Sequence, residues 1–369
     1  MTKTILPGQT IGIIGGGNTA RLLILEAKRL GYLTAVLTND KNDPAAKVAD
    51  WVIEGSATDS NRLMDLAQKS AVLIFESALM EMEVLESIQS YIEIPQLSDM
   101  LSVTQDRLIE KVFLESLNVN VMPYAIITSL EDLKEAVGSI GFPCVLKPIR
   151  VEEDQIPNAI LYSDEDFSKA KKMLETGTLL VESWVSFDKE LSITSAIDSE
   201  GEITTFPIVE KVVSDGILQK AAAPARIVEE VSHALHSMNQ VIMEAIQLIG
   251  LVTIELFITS LGMIYVKRIA VNPQESNDYT LDACNISQYE AFIRAICNLP
   301  IPEIELFKPV AVHYIYPGEV ETVLDNIILH PEWKLHLDSQ QIKSENKSVG
   351  HITLFSPNLE EFDRKGKWK

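Results

Sequence analysis

Cationic residues are the scarce class in this 369-residue chain: 31 Lys and Arg stand against 53 Asp and Glu, a formal charge of −22. Such an excess repels nucleic-acid phosphates and anionic lipid surfaces, so neither is expected as a partner, although a small anion can still be held in a local basic pocket. Cysteine is scarcer still. Cys144, Cys284 and Cys297 show no C-x-x-C spacing and are odd in number, which fits reduced, buried thiols of a cytoplasmic protein rather than a disulfide framework. No stretch approaches the roughly 18 apolar residues of a membrane helix, and the opening MTKTILPGQT lacks the apolar core of a secretory leader, so neither a membrane span nor secretion is expected. A Walker A sequence, a nucleophile elbow, zinc-ligand spacing, internal repeats and low-complexity linkers are likewise missing.

What is present reads as α/β followed by α+β, with length enough for two or three cores. Short apolar runs (TIGII, YLTAVLT, DWVIEG, AVLIFES) alternate with helical stretches over the first hundred residues, which predicts βαβ units and a parallel sheet. SVTQDRLIEKVFLESLN reads as a single helix with a Ser/Thr start and a charged face. Then VMPYAIITS, LEDLKEAVGSIG, PCVLKPI, DEDFSKAKKMLETG and LLVESW give a small strand–helix–strand–helix–strand unit. From KELSITSAID onward, long antiparallel strands dominate, with a Ser-Glu-Gly turn between the first two. The expected units are an N-terminal βαβ domain over 1–120, a central domain over 121–200 and a C-terminal domain over 201–369.

The residues that could carry chemistry are few. Gly15-Gly16-Gly17-Asn18-Thr19-Ala20 lies between a strand and a helix and fits G-x-G-x-x-A, but the next strand ends at Thr38 where a dinucleotide site would place an acid. A tight turn or another phosphate contact is the better expectation. Lys147 sits in an apolar strand and calls for an anion, unless it snorkels from an edge strand. Glu182 and Glu190 flank a strand and linker through Trp184 and Val185, which could present backbone groups to a base and a carboxylate to a ribose. His233 and His236 have helical spacing for a metal but no third ligand nearby, so a helix surface explains them. Glu255 lies in an apolar strand whose hairpin partner ends in Lys267-Arg268, two cations where a metal site would want a second acid.

In order along the chain, TIGIIGGG, AAKVAD, TQDRLIEK, FPCVLKP, VESWVSFDKELS, APARI, YTLDACNISQYEAFIRAICNLP and VGHITLF resemble the 5-(carboxyamino)imidazole ribonucleotide synthases, ATP-grasp enzymes of purine biosynthesis. The resemblance implies an ATP-grasp architecture of N-terminal βαβ domain, small central lid and C-terminal domain, with ATP between the last two. It implies an ATP- and bicarbonate-dependent carboxylation of aminoimidazole ribonucleotide, magnesium on the phosphates, and a homodimer. By position, Arg107 and Lys147 match nucleotide contacts, Glu182, Ser183, Trp184 and Val185 match the base-binding strand and linker, and Glu190 matches the ribose acid. Glu255 matches one of two magnesium acids, and Glu76 and Lys347 fall on the substrate side.

Departures from that pattern cluster. The glycine-rich lid loop of the family falls on Val151–Asn158, VEEDQIPN, whose two leading acids and Pro157 suit a phosphate poorly. The second magnesium acid falls on Arg268. A positive charge about 4 Å from a dication costs roughly 8 kcal/mol at an effective dielectric near 20. The expectation is therefore that Arg268 pairs with Glu255 at the metal position and that Lys267 and Arg268 substitute for the metal toward a nucleotide. Asn272 stands for a family arginine in Asn272-Pro273-Gln274-Glu275-Ser276-Asn277-Asp278, where both family histidines are gone and an acid has been gained. Ala78 and Leu79 follow Glu76 where the family has an acid and an asparagine, Ser339-Gln340 replaces a Gly-Lys, and Lys347-Ser348 an Arg-Lys. These changes predict a catalytically impaired scaffold that retains nucleotide binding, alone or beside an active paralogue in a heterodimer. The alternatives are an active synthase with a rebuilt site, or an ATP-grasp ligase for another substrate.

Overall fold

Four short strand-forming runs open the computed structural model, which describes residues 3–77, 80–150, 158–214, 216–338, 347–355 and 362. They form strands β1 (Thr10–Ile14), β2 (Leu33–Thr38), β3 (Trp51–Glu54) and β4 (Val72–Phe75), paired in parallel in the order β3-β2-β1-β4. Alternate residues serve two cores. Ile13, Val36 and Ile74 pack with Leu23 and Ile24 of the helix Asn18–Arg29, while Ile14, Leu37 and Phe75 pack with Leu63 and Leu66 of the helix Ser60–Lys69. Cover on both faces is why β1, β2 and β4 are buried along almost their whole length instead of alternating, while the edge strand β3 buries only Ile53.

The lid is a four-stranded antiparallel sheet of β5 (Tyr124–Ile127), β6 (Cys144–Pro148), β7 (Ala159–Leu161) and β8 (Leu179–Ser183), in the order β5-β8-β6-β7. Helices Leu130–Ile140 and Phe167–Leu174 cover one face, on Cys144, Leu146, Leu179 and Val181. The two-residue period then points Lys147 and Glu182 to the other face. β6 is an interior strand, so Lys147 is no edge-strand lysine.

Nine antiparallel strands make the large sheet: β9 (Lys189–Ile197), β10 (Ile203–Thr205), β11 (Val209–Ser214), β12 (Ile217–Ala223), β13 (Gly250–Ile258), β14 (Ile264–Val271), β15 (Val310–Ile315), β16 (Lys334–Leu337) and β17 (Gly350–Phe355). The order is β14-β13-β9-β11-β12-β15-β17-β16, with β10 beside β9. The first turn forms as anticipated: Gly201 takes a φ of +82°, and the Asp198 carboxylate accepts from the amides of Glu200 and Glu202 at 2.8 and 2.9 Å.

Two expectations change. β9 pairs with β11 and β13, so the lid sheet ends at Ser183 and the large sheet begins at Lys189, earlier than a boundary at 200. The single helix expected from SVTQDRLIEKVFLESLN is two, Met100–Gln105 and Arg107–Ser116. Asp106 breaks it by taking an extended backbone and accepting from the amides of Leu108 and Ile109, so a new helix starts at Arg107. Val151–Pro157, Ala78, Leu79 and Ser339-Gln340 lie outside the described residues.

Candidate functional site

Between the lid and the large sheet lies a cavity of about 490 Å³ whose wall includes Arg107, Glu110, Lys147, Asn158, Glu182, Glu190, Lys211, Glu255, Lys267, Arg268 and Glu275. Three sources supply these groups. The Asp106 cap fixes the start of the helix Arg107–Ser116, and the i, i+3, i+4 spacing brings Arg107, Glu110 and Lys111 to one side. That side is the buried one: Glu110 is 6% and Lys111 3% exposed, so this part of the expected charged face points inward.

From the lid come Lys147 and Glu182. The Glu182 carboxylate is shared between Lys147, which bonds Oε2, and Lys111, whose Nζ lies 2.9 Å from Oε1. Burial disfavours the carboxylate, yet the two lysines outweigh it and hold its pKa below the ordinary value, while burial brings that of Lys147 down. The anion that Lys147 called for is therefore a side chain of the same sheet.

Four adjacent strands of the large sheet present the rest: Lys267 and Arg268 on β14, Glu255 on β13, Glu190 on β9 and Lys211 on β11. A bulge in the β13–β14 pairing sets both Lys267 and Arg268 against Glu255, whereas a regular strand would send one of them to the opposite face. Arg268 Nη2 donates to Glu255 Oε1 at 2.6 Å, and Lys267 and Lys211 Nζ lie 3.3 and 3.0 Å from Oε2. The same two lysines lie 2.7 and 3.1 Å from Glu190 Oε1, so they bridge the two acids. Burial opposes the Glu255 charge, but Lys211, Arg268 and Lys267 hold its pKa well below the usual value. The guanidinium–carboxylate pair expected from the sequence is present in this geometry.

Glu110 is different. It accepts from the Ile269 amide at 2.5 Å, but burial dominates and pushes its pKa up to about 7. Glu275, bonded by Ser348 Oγ at 2.9 Å, is also raised by burial, against the pull of Ser348 and the Lys347 charge. Ser183, Trp184 and Val185 end β8 and begin the linker, outside the cavity wall; Trp184 is 44% exposed and its amide donates to Pro143.

Toward the N-terminal domain, the Glu76 carboxylate accepts from the amides of Gly17 at 2.7 Å and Ala20 at 3.3 Å, so an internal acid caps the helix that follows the glycines. Gly15 takes a φ of +120°, and a Cβ at Gly15 or Gly17 would strike Glu76. This is the tight-turn reading of the motif. Thr38 bonds Asp43, which brings an acid to the end of β2 from five residues on. Asn272, at a φ of +75°, donates to the Glu76 carbonyl at 3.0 Å and accepts from Gln96. Asn272 thus joins the N-terminal domain to the exit of β14. Lys347 is exposed.

His233 and His236 are exposed on the helix Glu229–Ala245, as expected. A second set of histidines was not foreseen: His336 and His351 meet Asp282, with His336 Nε2 2.8 Å from Asp282 Oδ2. Burial pushes His351 down to about pH 3, which keeps it neutral. Lys111, Glu110 and Lys211 were also missed. The spacing from Arg107 could have found the first two, whereas nothing in FPIVEK distinguishes Lys211 from a surface lysine.

A βαβ domain, a small antiparallel lid and a large antiparallel sheet around a charged cleft define an ATP-grasp protein. The ATP-grasp domain family matches residues 112–289 and the ribonucleotide synthetase preATP-grasp domain family residues 8–105. More particularly, the chain belongs to the N5-carboxyaminoimidazole ribonucleotide synthase family. It is 33% identical to the synthase of Bacillus subtilis (strain 168) over 371 aligned residues, covering 100% of this chain and 98% of that protein. It is similar to the N5-carboxyaminoimidazole synthetase of Staphylococcus aureus complexed with ADP, with a TM-score of 0.94, 29% identity and coverage of 100% and 99%. An ADP complex of an N5-carboxyaminoimidazole ribonucleotide synthetase is similar at a TM-score of 0.93 and 36% identity, with coverage of 98% and 96%. Among the described residues no helix is long and apolar enough to cross a membrane.

Proposed function

We propose that this chain is a synthase-family protein that binds a purine nucleotide through fixed cations in place of magnesium, and that its turnover of aminoimidazole ribonucleotide is lost or much reduced. One observation carries the reading. Six cations (Arg107, Lys111, Lys147, Lys211, Lys267, Arg268) surround three ion-paired acids (Glu182, Glu190, Glu255) in a protein of net charge −22. Glu110 and Glu275 offset at most two of the surplus charges, and their raised pKa values lessen that. Such a local surplus suits a di- or triphosphate. In this reading Arg107, Lys147, Lys267 and Arg268 take the phosphates, Glu190 the ribose and Ser183–Val185 the base.

Magnesium does not fit the donor set. Both Glu255 oxygens are engaged by cations, and the position expected to supply a second carboxylate is Arg268. A dication there would have to displace or repel at least one of three positive groups. A second reading, a working synthase with a rebuilt site, is favoured by the likeness over the complete length of the Bacillus subtilis synthase and by the retention of Glu76. A homodimer belongs to either reading.

The deciding experiment measures ADP release with ATP, magnesium, bicarbonate and aminoimidazole ribonucleotide, alongside nucleotide titration with and without magnesium. The expected outcome is nucleotide binding that survives chelation of magnesium, with no ribonucleotide-dependent ADP release from protein that melts cooperatively. Release dependent on the ribonucleotide would overturn the first reading in favour of the second.

A further inference from the structure

The C-terminal hairpin carries a group of side chains that the nucleotide cleft does not use. His336 on β16 and His351 on β17 are direct cross-strand partners, and their rings stack at 4.6 Å with 17° between planes. Asp282, in the helix Thr280–Ala283, reaches the same place from outside the sheet. One ligand atom from each of the three lies within 4.8 Å of the others. An ordinary His336–Asp282 ion pair accounts for only part of this arrangement. His351 is 3% exposed, and its buried Nε2 has no hydrogen-bond partner among the described residues, an arrangement that folded proteins avoid. Its other nitrogen, Nδ1, faces Asp278 Oδ2 at 3.6 Å, and Asp278 is in turn held by the Tyr289 hydroxyl at 2.7 Å. The Asp278 carboxyl behind Nδ1 orients the ring and leaves Nε2 as the nitrogen open to a ligand.

We infer that Asp282, His336 and His351 form a site for a first-row divalent metal ion, zinc by preference, with a fourth position left for water. Two imidazoles and one carboxylate suit zinc and are a poor set for magnesium or calcium. Zinc bonds of about 2.0–2.1 Å place tetrahedral ligand atoms about 3.3 Å apart, so loading requires the histidine rings to turn and the set to contract by at most about 1.5 Å. The ion would clip the β16–β17 hairpin to the segment that follows Gln274, Glu275 and Ser276, which line the nucleotide cavity. Its role is to hold that wall, and it takes no part in nucleotide binding.

The test uses the full chain, stripped with a chelator and dialysed, then titrated with cobalt(II) and separately with zinc. The expected result is one equivalent bound per chain, a visible cobalt absorption of tetrahedral intensity that zinc abolishes, and a higher melting temperature. His336→Gln, at a partly exposed position, should remove stoichiometric binding, and Asp278→Asn should weaken it about 10–100-fold by releasing His351. A double variant of the exposed pair, His233→Ala with His236→Ala, should bind as the parent does. Failure of the parent to bind either ion stoichiometrically, binding unchanged in His336→Gln, or loss of binding in the His233/His236 variant would each overturn the proposal.

Discussion

Glu255 concentrates the question of how this cleft handles charge. A carboxylate with three cationic neighbours at 2.6 to 3.3 Å is held ionised and is closed to further cations. Replacing Arg268 by glutamate reverses the sign at one of those contacts and offers a second acid beside the first. Arg268→Glu is therefore expected to convert nucleotide binding from magnesium-independent to magnesium-dependent, with the affinity in chelator falling at least about tenfold, the equivalent of roughly 1.4 kcal/mol. Calorimetric titration of ADP with and without magnesium checks it. Equal affinities under the two conditions would mean that Arg268 has no part in replacing the metal.

At the level of elements, the chemistry depends on two local breaks in regular structure. The bulge in β14 lets consecutive residues share one face of the sheet. The break at Asp106 starts a helix so that Arg107, Glu110 and Lys111 turn toward the cleft. Asp106 caps that helix by accepting from two amides at 2.9 and 3.1 Å, and losing such a cap costs about 1 kcal/mol. Asp106→Ala should lower stability by about that amount in urea unfolding. Because the first turn of the helix carries Arg107, nucleotide affinity should fall as well. Asp106→Asn retains a capping oxygen and should recover most of both losses. An alanine variant with unchanged affinity would show that Arg107 is positioned by the lid, where its amide already donates to the Ile149 carbonyl at 2.9 Å.

For the whole molecule, the local surplus of positive charge is tuned by an acid near neutrality. Burial raises Glu110 from 4.5 to about 7, so between those values the folded protein holds a proton that the unfolded chain has released. Ionising Glu110 thus costs stability as pH rises through that window, at most about 3 kcal/mol. It also adds a negative charge to the cleft. Nucleotide affinity in the absence of magnesium should therefore rise as pH falls from about 8 to about 6, beyond the change in the nucleotide's own phosphate charge. Glu110→Gln keeps an acceptor for the Ile269 amide and should flatten the protein's part of that profile. A profile identical in the variant would place the titration elsewhere.

Much of this architecture is written in local pattern. The alternating apolar runs foretell the parallel sheet, Gly201 and its neighbours foretell the first turn of the large sheet, and the collinear motifs locate Arg107, Lys147, Glu182, Glu190 and Glu255 in one cleft. These features depend on residues close in sequence or on motifs that travel together. The lone acid at Glu255 opposite Lys267-Arg268 was also legible, because hairpin partners lie only a turn apart. Tertiary structure alone decided the rest. It turned Glu110 and Lys111 inward, carried Lys211 two strands across the sheet to bridge Glu190 and Glu255, and gave the glycine-loop helix to Glu76. It also brought His336 and His351 beside Asp282, more than fifty residues away. Each of these depends on which strands become neighbours, on their register and on a bulge, and no periodicity within a single segment encodes those relations.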